Sequence, residues 1–223
     1  MNKFSFPDPP GPYAFPVAKA GLPLIFAFAF ITLVFALLEL TVPAIVVLIA
    51  TLAICCFFRD PDRVVPNEQG GVVSPADGKV IFINTVENSD FYPGRCMKIS
   101  IFMSVLNVHV NRVPYDGVVK KISYYPGKFF SANLDKASRE NEHNAVQIET
   151  PSGQTICFVQ IAGLIARRIK CRLCEGDTVT RGRRYGLICF GSRLDVYLPA
   201  DVRLNVSVGC KVQSGHSILG YIS

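Results

Sequence analysis

The most apolar part of the chain lies near its N-terminus and has the pattern of membrane helices. The run Gly21–Phe58 contains a single charged side chain, Glu39. A spanning helix requires about 20 apolar residues, so the run predicts two helices, Leu22–Leu38 and Val42–Phe58. A secretory signal peptide has a shorter apolar region, about 7–15 residues, before its cleavage site. We therefore expect a membrane hairpin, with a re-entrant or monotopic helix pair as the alternative.

After this run the pattern changes to short β-prone segments that are separated by turns. They are Gly71–Val73, Lys79–Asn84, Cys96–Met103, Gly117–Tyr125, Ala145–Thr150, Gln154–Ala162 and Leu164–Cys171. Two further segments, Leu187–Phe190 and Leu194–Leu198, flank the sequence Gly191-Ser192-Arg193. The polar stretch Phe129–Asn144 is the exception, and we predict a short helix around Leu134–Glu140 within it. A long insertion of this kind in a compact domain is often a functional lid.

A repeated pattern predicts the form of the β core. Residues Gly176–Gly182 and Gly209–Gly215 share the pattern Gly-x-x-Val-x-x-Gly. It resembles the hairpins of biotinyl- and lipoyl-type domains, which have an exposed turn, an inward valine and a glycine that opens the next strand. The predicted fold is mainly β (α+β), a barrel-sandwich-hybrid-like β core with a short helical insertion, preceded by the transmembrane helical hairpin. We place an irregular lead-in at 1–20, the hairpin at 21–58, a linker at 59–69 and the β domain at 70–223.

Charge and cysteine content indicate the compartment and the partners. The net charge of +6, beside a membrane anchor, favours anionic lipid, and no basic-aromatic motif indicates nucleic acid. Lys19 precedes the apolar run and Arg59 and Arg63 follow it, so we expect both ends, and the β domain, on the cytoplasmic side of the cell membrane. Cys171-x-x-Cys174 has no second pair at zinc-site spacing, so we expect reduced thiols and no metal.

Three residues could together form a nucleophile, a base and an orienting acid. Ser192 follows Gly191, and a serine hydroxyl can attack the carbonyl before it when a base accepts its proton. His109 ends an apolar strand, and Asp77 lies in an Asp-Gly turn. Taken singly, a kinked strand, a packed histidine and an ordinary turn would explain them. In combination they can orient a base and activate a hydroxyl. The chain lacks the Gly-x-Ser-x-Gly motif, which disfavours a common serine hydrolase.

Five blocks between Phe57 and the C-terminus carry a family resemblance. They are Phe57-Phe58-Arg59-Asp60-Pro61, Ser74-Pro75-Ala76-Asp77-Gly78, the segment from Val108-His109 to Gly117, Asn141-Glu142-His143-Asn144, and Arg181-Gly182-x-x-x-Gly186-x-Ile188-x-Phe190-Gly191-Ser192. In these blocks, and in their order, the chain resembles the phosphatidylserine decarboxylase family. It is most similar in type to the short membrane-anchored prokaryotic proenzymes, which include archaetidylserine decarboxylase-like ones.

The resemblance implies a proenzyme that cleaves itself at Gly191–Ser192 into a β chain, residues 1–191, and an α chain, residues 192–223. Ser192 would become a pyruvoyl group, a covalent cofactor whose carbonyl forms a Schiff base with the substrate amine. Loss of carbon dioxide would convert phosphatidylserine into phosphatidylethanolamine, and a general acid would protonate the product. The resemblance also implies catalytic roles for His109 and Asp77.

The chain departs from the family at two positions. Many members carry a second histidine where this chain has Arg112, so we predict that His109 serves both self-cleavage and lipid turnover, or that His143 supplies one of them. Arg193 replaces a small hydroxyl residue after the processed serine. We expect it, with Arg112, to bind the lipid phosphate, and a solvated Arg193 is the alternative.

Other readings of the sequence remain open. A membrane-tethered biotinyl/lipoyl-like adaptor or carrier without catalysis would explain the repeat, although Lys79 and Lys211 lack the setting of a modified lysine. A self-cleaving membrane peptidase would need a groove for a foreign peptide. The aromatic pair Phe129-Phe130 suits contact with the bilayer. The sequence leaves open a homo-oligomer and the choice between an ester and an ether lipid.

Overall fold

The computed structural model describes residues 4–5, 17–128, 130–131, 140–163, 169–188 and 191–223. The chain divides into two compact units. One unit is Pro12–Asp62, and the other combines Met1–Gly11 with Arg63–Ser223.

The smaller unit is a helical hairpin. Helix α1 spans Leu22–Leu37 and α2 spans Thr41–Phe57, after a 3-10 turn at Lys19–Gly21. Between the helices Glu39 has a φ of 59°, a left-handed conformation that cannot continue a helix. Both helices expose apolar side chains around most of their circumference, as helices in lipid do. The stretch Lys19–Leu37 is long and apolar enough to cross a membrane, whereas α2 is shorter.

The larger unit consists of short strands in several antiparallel sheets. The strands are β1 (Phe4–Ser5), β2 (Val65–Pro66), β3 (Gly71–Val73), β4 (Gly78–Val86), β5 (Cys96–Met103), β6 (Val110–Arg112), β7 (Gly117–Tyr125), β8 (His143–Glu149), β9 (Thr155–Ala162), β10 (Ile169–Cys171), β11 (Thr178–Val179), β12 (Arg184–Ile188), β13 (Ser192–Pro199), β14 (Arg203–Leu204), β15 (Lys211–Val212) and β16 (Ile218–Tyr221). The main sheet has the order β11-β7-β8-β9-β13-β5-β4-β15. Two three-stranded sheets, β10-β12-β6 and β14-β16-β3, accompany it.

The core lies between the main sheet and the two smaller ones. One apolar cluster joins Leu194 and Phe158 of the main sheet to Tyr185 of β12 and Leu219 of β16. A second cluster, which includes Ile161 and Tyr197, covers the opposite face of the main sheet. Side chains alternate between faces along a strand, so β13 contributes to both clusters. The predicted fold class, mainly β with a curled, sandwich-like core after an apolar helical segment, is confirmed.

The two repeats form the two edges of the main sheet. β11, in the first repeat, pairs with β7, and β15, in the second, pairs with β4. The repeats bind their neighbours in the same way: Gly176 and Asp177 bond to Val119, and Gly209 and Cys210 bond to Val80. The central valine of each repeat is buried. The repeated pattern therefore predicted an exposed turn and an inward valine correctly.

Some strands begin at other residues than predicted, because pairing with neighbouring strands, rather than residue composition, sets where they begin. β13 begins at Ser192, two residues before the predicted Leu194, because Ser192 pairs with strands on both sides. β12 begins at Arg184 rather than Leu187, since it pairs with Arg112 there. Of the predicted Leu164–Cys171 strand, Ile169–Cys171 is a strand and the rest lies outside the described residues. The predicted helix Leu134–Glu140 also lies outside them, apart from Glu140.

Candidate active site

The Gly191–Ser192 bond lies where the chain enters the central strand of the main sheet. Ser192 is the first residue of β13 and pairs with Met103 of β5 and Ala162 of β9. Gly191 has a φ of 61°, and a Cβ atom added to it would meet nothing within 4 Å. Backbone conformation rather than lack of space therefore favours glycine at this position. The Ser192 side chain is fully buried.

The fold brings Asp77, His109 and Ser192 to the same end of the main sheet. Asp77 directly precedes β4, which starts beside the end of β5. His109 lies between Met103, the last residue of β5, and β6. All three residues are buried. Their separation along the chain is large, so the antiparallel order of β4, β5 and β13 is what gathers them.

The carboxylate of Asp77 is held from two sides. One oxygen accepts a hydrogen bond from the Ser214 backbone N–H at 2.7 Å, and the other accepts one from Arg63 at 2.9 Å. The Ser214 hydroxyl in turn lies 3.4 Å from the carbonyl oxygen of Val110, the residue that follows His109. Ser214 thus connects the Asp77 turn to the segment that carries His109. Sequence reasoning missed Ser214 and Arg63, although Ser214 belongs to the second repeat.

A chain of neutral side chains borders Ser192 on its own face of the sheet. The Ser192 Oγ lies 3.8 Å from the Met103 sulfur, and Asn111 Nδ2 lies 3.6 Å from the same sulfur. Gln160 Nε2 donates to Asn111 Oδ1 at 2.8 Å, and Asn144 Nδ2 donates to Gln160 Oε1 at 3.2 Å. We call Asn111, Gln160 and Asn144 the amide chain. All of its members are buried, so each hydrogen bond satisfies groups that water does not reach.

Gly186 makes room for the amide chain. A Cβ atom added there would lie 2.7 Å from Gln160 Nε2 and 2.5 Å from the Lys170 carbonyl oxygen. Sequence reasoning missed the amide chain and used Gly186 only as part of a sequence motif. The sequence feature that could have revealed the amide chain is the presence of amide residues at inward positions of otherwise apolar strands.

The next residue, Arg193, lies on the opposite face and is surrounded by charge. Its Nε and Nη2 atoms donate to the two carboxylate oxygens of Asp195 at 2.6 and 2.9 Å. Lys98 Nζ lies 3.2 Å from Asp195, and the Phe82 ring centroid lies 5.4 Å from the guanidinium carbon. We call Arg193, Asp195 and Lys98 the ion-pair cluster. Burial acts to raise the pKa of Asp195, but the neighbouring Arg193 and Lys98 charges outweigh it, and the pKa lies below its ordinary value of 3.8.

The other predicted site residues, His143 and Arg112, have partners of their own. His143 stacks on Tyr125 at 4.8 Å and meets Phe91 edge-on at 5.1 Å. Phe91 belongs to the apolar cluster on the far face of the main sheet. Arg112 is buried and donates to the Gly182 carbonyl at 3.1 Å. Because Arg112 and Arg193 are both buried and hydrogen-bonded, binding of a lipid phosphate by either one would require these contacts to open.

Comparison with known proteins agrees with the resemblance. A sequence model of the family described as phosphatidylserine decarboxylase matches residues 51–220. The chain is 52% identical over 207 residues to the phosphatidylserine decarboxylase proenzyme of Desulfotalea psychrophila, covering 93% of this chain and 97% of that protein. It is 52% identical over 205 residues to the proenzyme of Syntrophus aciditrophicus, covering 92% and 96%. Matches of this extent and identity mean that the chain belongs to the phosphatidylserine decarboxylase family.

Proposed function

We propose that this chain is a proenzyme that cleaves itself between Gly191 and Ser192 and then decarboxylates phosphatidylserine to phosphatidylethanolamine. The position of Ser192 carries the proposal. It is a buried serine at the start of the central strand, directly after a glycine in the left-handed conformation. The names of the similar proteins support the lipid substrate and the proenzyme state.

Self-cleavage uses only groups of this chain and one water molecule. The Ser192 hydroxyl attacks the Gly191 carbonyl carbon, and the peptide C–N bond breaks as the nitrogen takes up a proton, which leaves an ester. Removal of the Ser192 Cα proton then expels the Gly191 carboxylate and leaves a dehydroalanine. Water replaces its nitrogen, which departs as ammonia, and residue 192 becomes a pyruvoyl group. The chain is thereby divided into residues 1–191 and 192–223.

His109 is the proton carrier in this proposal. It is buried at the sheet end where Ser192 lies, and a histidine can accept the hydroxyl proton near neutral pH. Asp77, held by Arg63 and Ser214, is assigned the role of orienting His109. The same histidine would later deliver a proton to the product. His143 is the alternative proton donor for one of the two steps.

The surroundings of Ser192 fit a pyruvoyl group. Residue 192 is held by Met103 and Ala162 on the neighbouring strands. Conversion to a pyruvoyl group would add no bulk there, because a keto oxygen replaces the nitrogen and the hydroxyl oxygen leaves with Gly191. Formed there, the group supplies an electrophilic carbonyl for the substrate amine and an electron sink for the departing carboxylate. Asn111, close to Met103, provides a neutral polar border that introduces no charge competing with the substrate.

The apolar N-terminal helix supports membrane association. In our proposal residues 21–58 anchor the enzyme as a hairpin and residues 70–223 are the catalytic domain, on the cytoplasmic side. The carrier alternative is less well supported. Lys79 and Lys211 face each other within paired strands, rather than at the tip of a turn where a carrier lysine would be modified.

Intact-mass analysis under denaturing conditions tests self-cleavage. The wild-type chain should yield a fragment beginning at residue 192, with a blocked N-terminus that reacts with carbonyl reagents, and Ser192→Ala should remain uncut. Ser152→Ala, in the exposed turn between β8 and β9, is the matched control and should be cleaved normally. An uncut but active wild-type chain would refute the pyruvoyl mechanism. A cleaved chain that releases no carbon dioxide from phosphatidylserine in vesicles would refute the substrate.

A further inference from the structure

We propose that the end of the main sheet at which Ser192 lies contacts the phospholipid bilayer directly, through the Val105-Leu106 turn and the tyrosines Tyr124 and Tyr125. This inference rests on the proposed function, because a diacyl substrate has to reach Ser192 from a membrane. It assigns a membrane contact to the β domain itself, in addition to the apolar helices.

The turn between β5 and β6 holds two apolar side chains outward. Leu106 is 81% exposed and Val105 is 47% exposed. The turn is closed by a hydrogen bond from the Asn107 N–H to the Ser104 carbonyl at 3.0 Å. The Asn107 side chain also accepts hydrogen bonds from the Ser104 N–H at 2.9 Å and from its hydroxyl at 2.7 Å. The hydrogen bonds of the turn therefore hold Val105 and Leu106 in water, although exposure of apolar side chains is unfavourable.

The register of the sheet places the tyrosines at the same end. Tyr125 pairs with His143, His143 pairs with Ile161, and Ile161 pairs with Arg193, the neighbour of Ser192. The Val105-Leu106 turn begins directly after Met103, which pairs with Ser192. Both features thus lie at the end of the sheet where the chain is to be cut.

The composition of this end matches a membrane–water interface. Tyr124 and Tyr125 are 57% and 45% exposed, and tyrosine, with an apolar ring and a polar hydroxyl, favours the interface. Lys128 follows; its side chain is 73% exposed and lies 3.7 Å from the Glu140 carboxylate, and it can extend from there toward lipid phosphates. The opposite end of the sheet carries the polar turn Pro151-Ser152-Gly153. An anionic bilayer is the partner that this pattern and the net charge of +6 fit best.

A single introduced tryptophan can report the contact, because the chain contains none. The probe variant is Leu106→Trp. The matched control is Val118→Trp, an exposed apolar position at the other end of the same sheet, where Val118 pairs with Glu149. Each full-length variant is placed in phosphatidylcholine–phosphatidylglycerol vesicles with and without acyl-brominated lipid. We expect brominated lipid to quench the residue 106 fluorescence at least twofold more than that at residue 118, and aqueous acrylamide to show the reverse order.

Equal acrylamide access at both positions would overturn the proposal. Protection of residue 106 without quenching by brominated lipid would also overturn it, since a protein surface would then be covering the turn. If the wild type proves unable to decarboxylate the lipid, the quenching result still decides the membrane contact independently.

Turnover provides a second readout. Leu106→Asp should lower kcat/KM for phosphatidylserine in vesicles about tenfold, as expected for loss of part of a buried leucine contact. Self-cleavage and turnover of a short-chain, water-soluble phosphatidylserine should remain within twofold of the wild type. An equal loss on both substrates, or a loss of self-cleavage, would mean that Leu106 acts structurally and would refute a role at the bilayer.

Discussion

The two faces of strand β13 differ sharply within one residue. On one face Ser192 is bordered by the Met103 sulfur, which lies 3.8 Å from its hydroxyl oxygen, and by the neutral amide chain. On the other face Arg193 and Asp195 form a buried pair at 2.6 Å. Alternation along a strand assigns neighbouring residues to different environments. The Ser192 backbone is thus paired on both sides while its side chain borders neutral groups, whereas the side chain of the next residue is held by the ion-pair cluster.

This difference has a consequence for a chain that is cut before Ser192. After cleavage residue 192 is a chain terminus and no longer has a covalent link to Gly191. Arg193 pairs with Asp195, which Lys98 also contacts, and this pairing would keep the new terminus between β5 and β9. A buried ion pair is costly to break from one side, so the cluster suits an anchoring role. In the proposed reaction the neutral amide chain would place no charge beside residue 192.

The largest expected effect is a difference in self-cleavage rate between variants of His109 and His143. His109→Ala should slow self-cleavage by about 10²–10⁴-fold, the usual contribution of a general base. His143→Ala, on the far face, should stay within a few-fold of the wild type in cleavage. Single-turnover cleavage and carbon dioxide release measured for both variants would check this. Full activity of His109→Ala in both assays would refute the assignment, and a selective loss of lipid turnover in His143→Ala would transfer the protonation step to it.

The ion-pair cluster should dominate stability. Asp195→Asn leaves the Arg193 charge buried without its carboxylate, which should lower the free energy of unfolding by about 3–5 kcal/mol. Urea unfolding of the full chain in detergent, followed by circular dichroism, measures the change. The double variant Arg193→Met/Asp195→Asn is the control and should recover much of the loss, because no charged partner of that pair is left uncompensated. A double variant no more stable than Asp195→Asn would contradict this account.

The amide chain should affect both stability and cleavage. Gln160→Leu keeps the volume but removes the bonds to Asn111 and Asn144, at a cost of about 1–3 kcal/mol for each unsatisfied buried group. We expect self-cleavage to slow about tenfold. Gln147→Leu, which loses a bond to the Phe91 carbonyl elsewhere in the sheet, is the matched control. Equal cleavage rates in the two variants would show that the amide chain does not position the reacting strand.

The smallest effect concerns acid stability. The pKa of Asp195 lies below its ordinary value of 3.8 in the folded chain, so the unfolded chain binds a proton first as pH falls. The stabilisation from this group is therefore fully present above about pH 4 and is lost as pH drops through the folded pKa. Urea midpoints between pH 5 and pH 3 should fall more steeply for the wild type than for Asp195→Asn. Parallel curves would refute this contribution.

Local pattern was sufficient for several parts of the molecule. The apolar run with Glu39 at its centre predicted both helices to within one residue at each end. The repeats predicted the turns and the buried valines at the sheet edges. Ser192, His109 and Asp77 were found from motifs, and their roles stay predictions that the experiments above address.

Other features depended on which strands meet. Sequence placed Gln160 within a strand, but only the pairing of distant strands brings it to Asn111. Arg193 was expected beside the lipid phosphate or in solvent, and the sheet instead buries it against Asp195.

Local sequence therefore indicated both helices, most strands of the main sheet, the turns of the two repeats and the candidate reactive bond, because these follow from periodicity and from backbone preferences over a few residues. It did not indicate β6, β14 and β16, which are strands of the smaller sheets. Tertiary structure alone decided what lies against each face of β13. Alternation tells which side chains share a face, but the partners covering that face, such as Asn111 beside Met103 and Ser192, come from segments far away in the chain. Their placement depends on the global register and burial of the sheets, which no short stretch of sequence specifies.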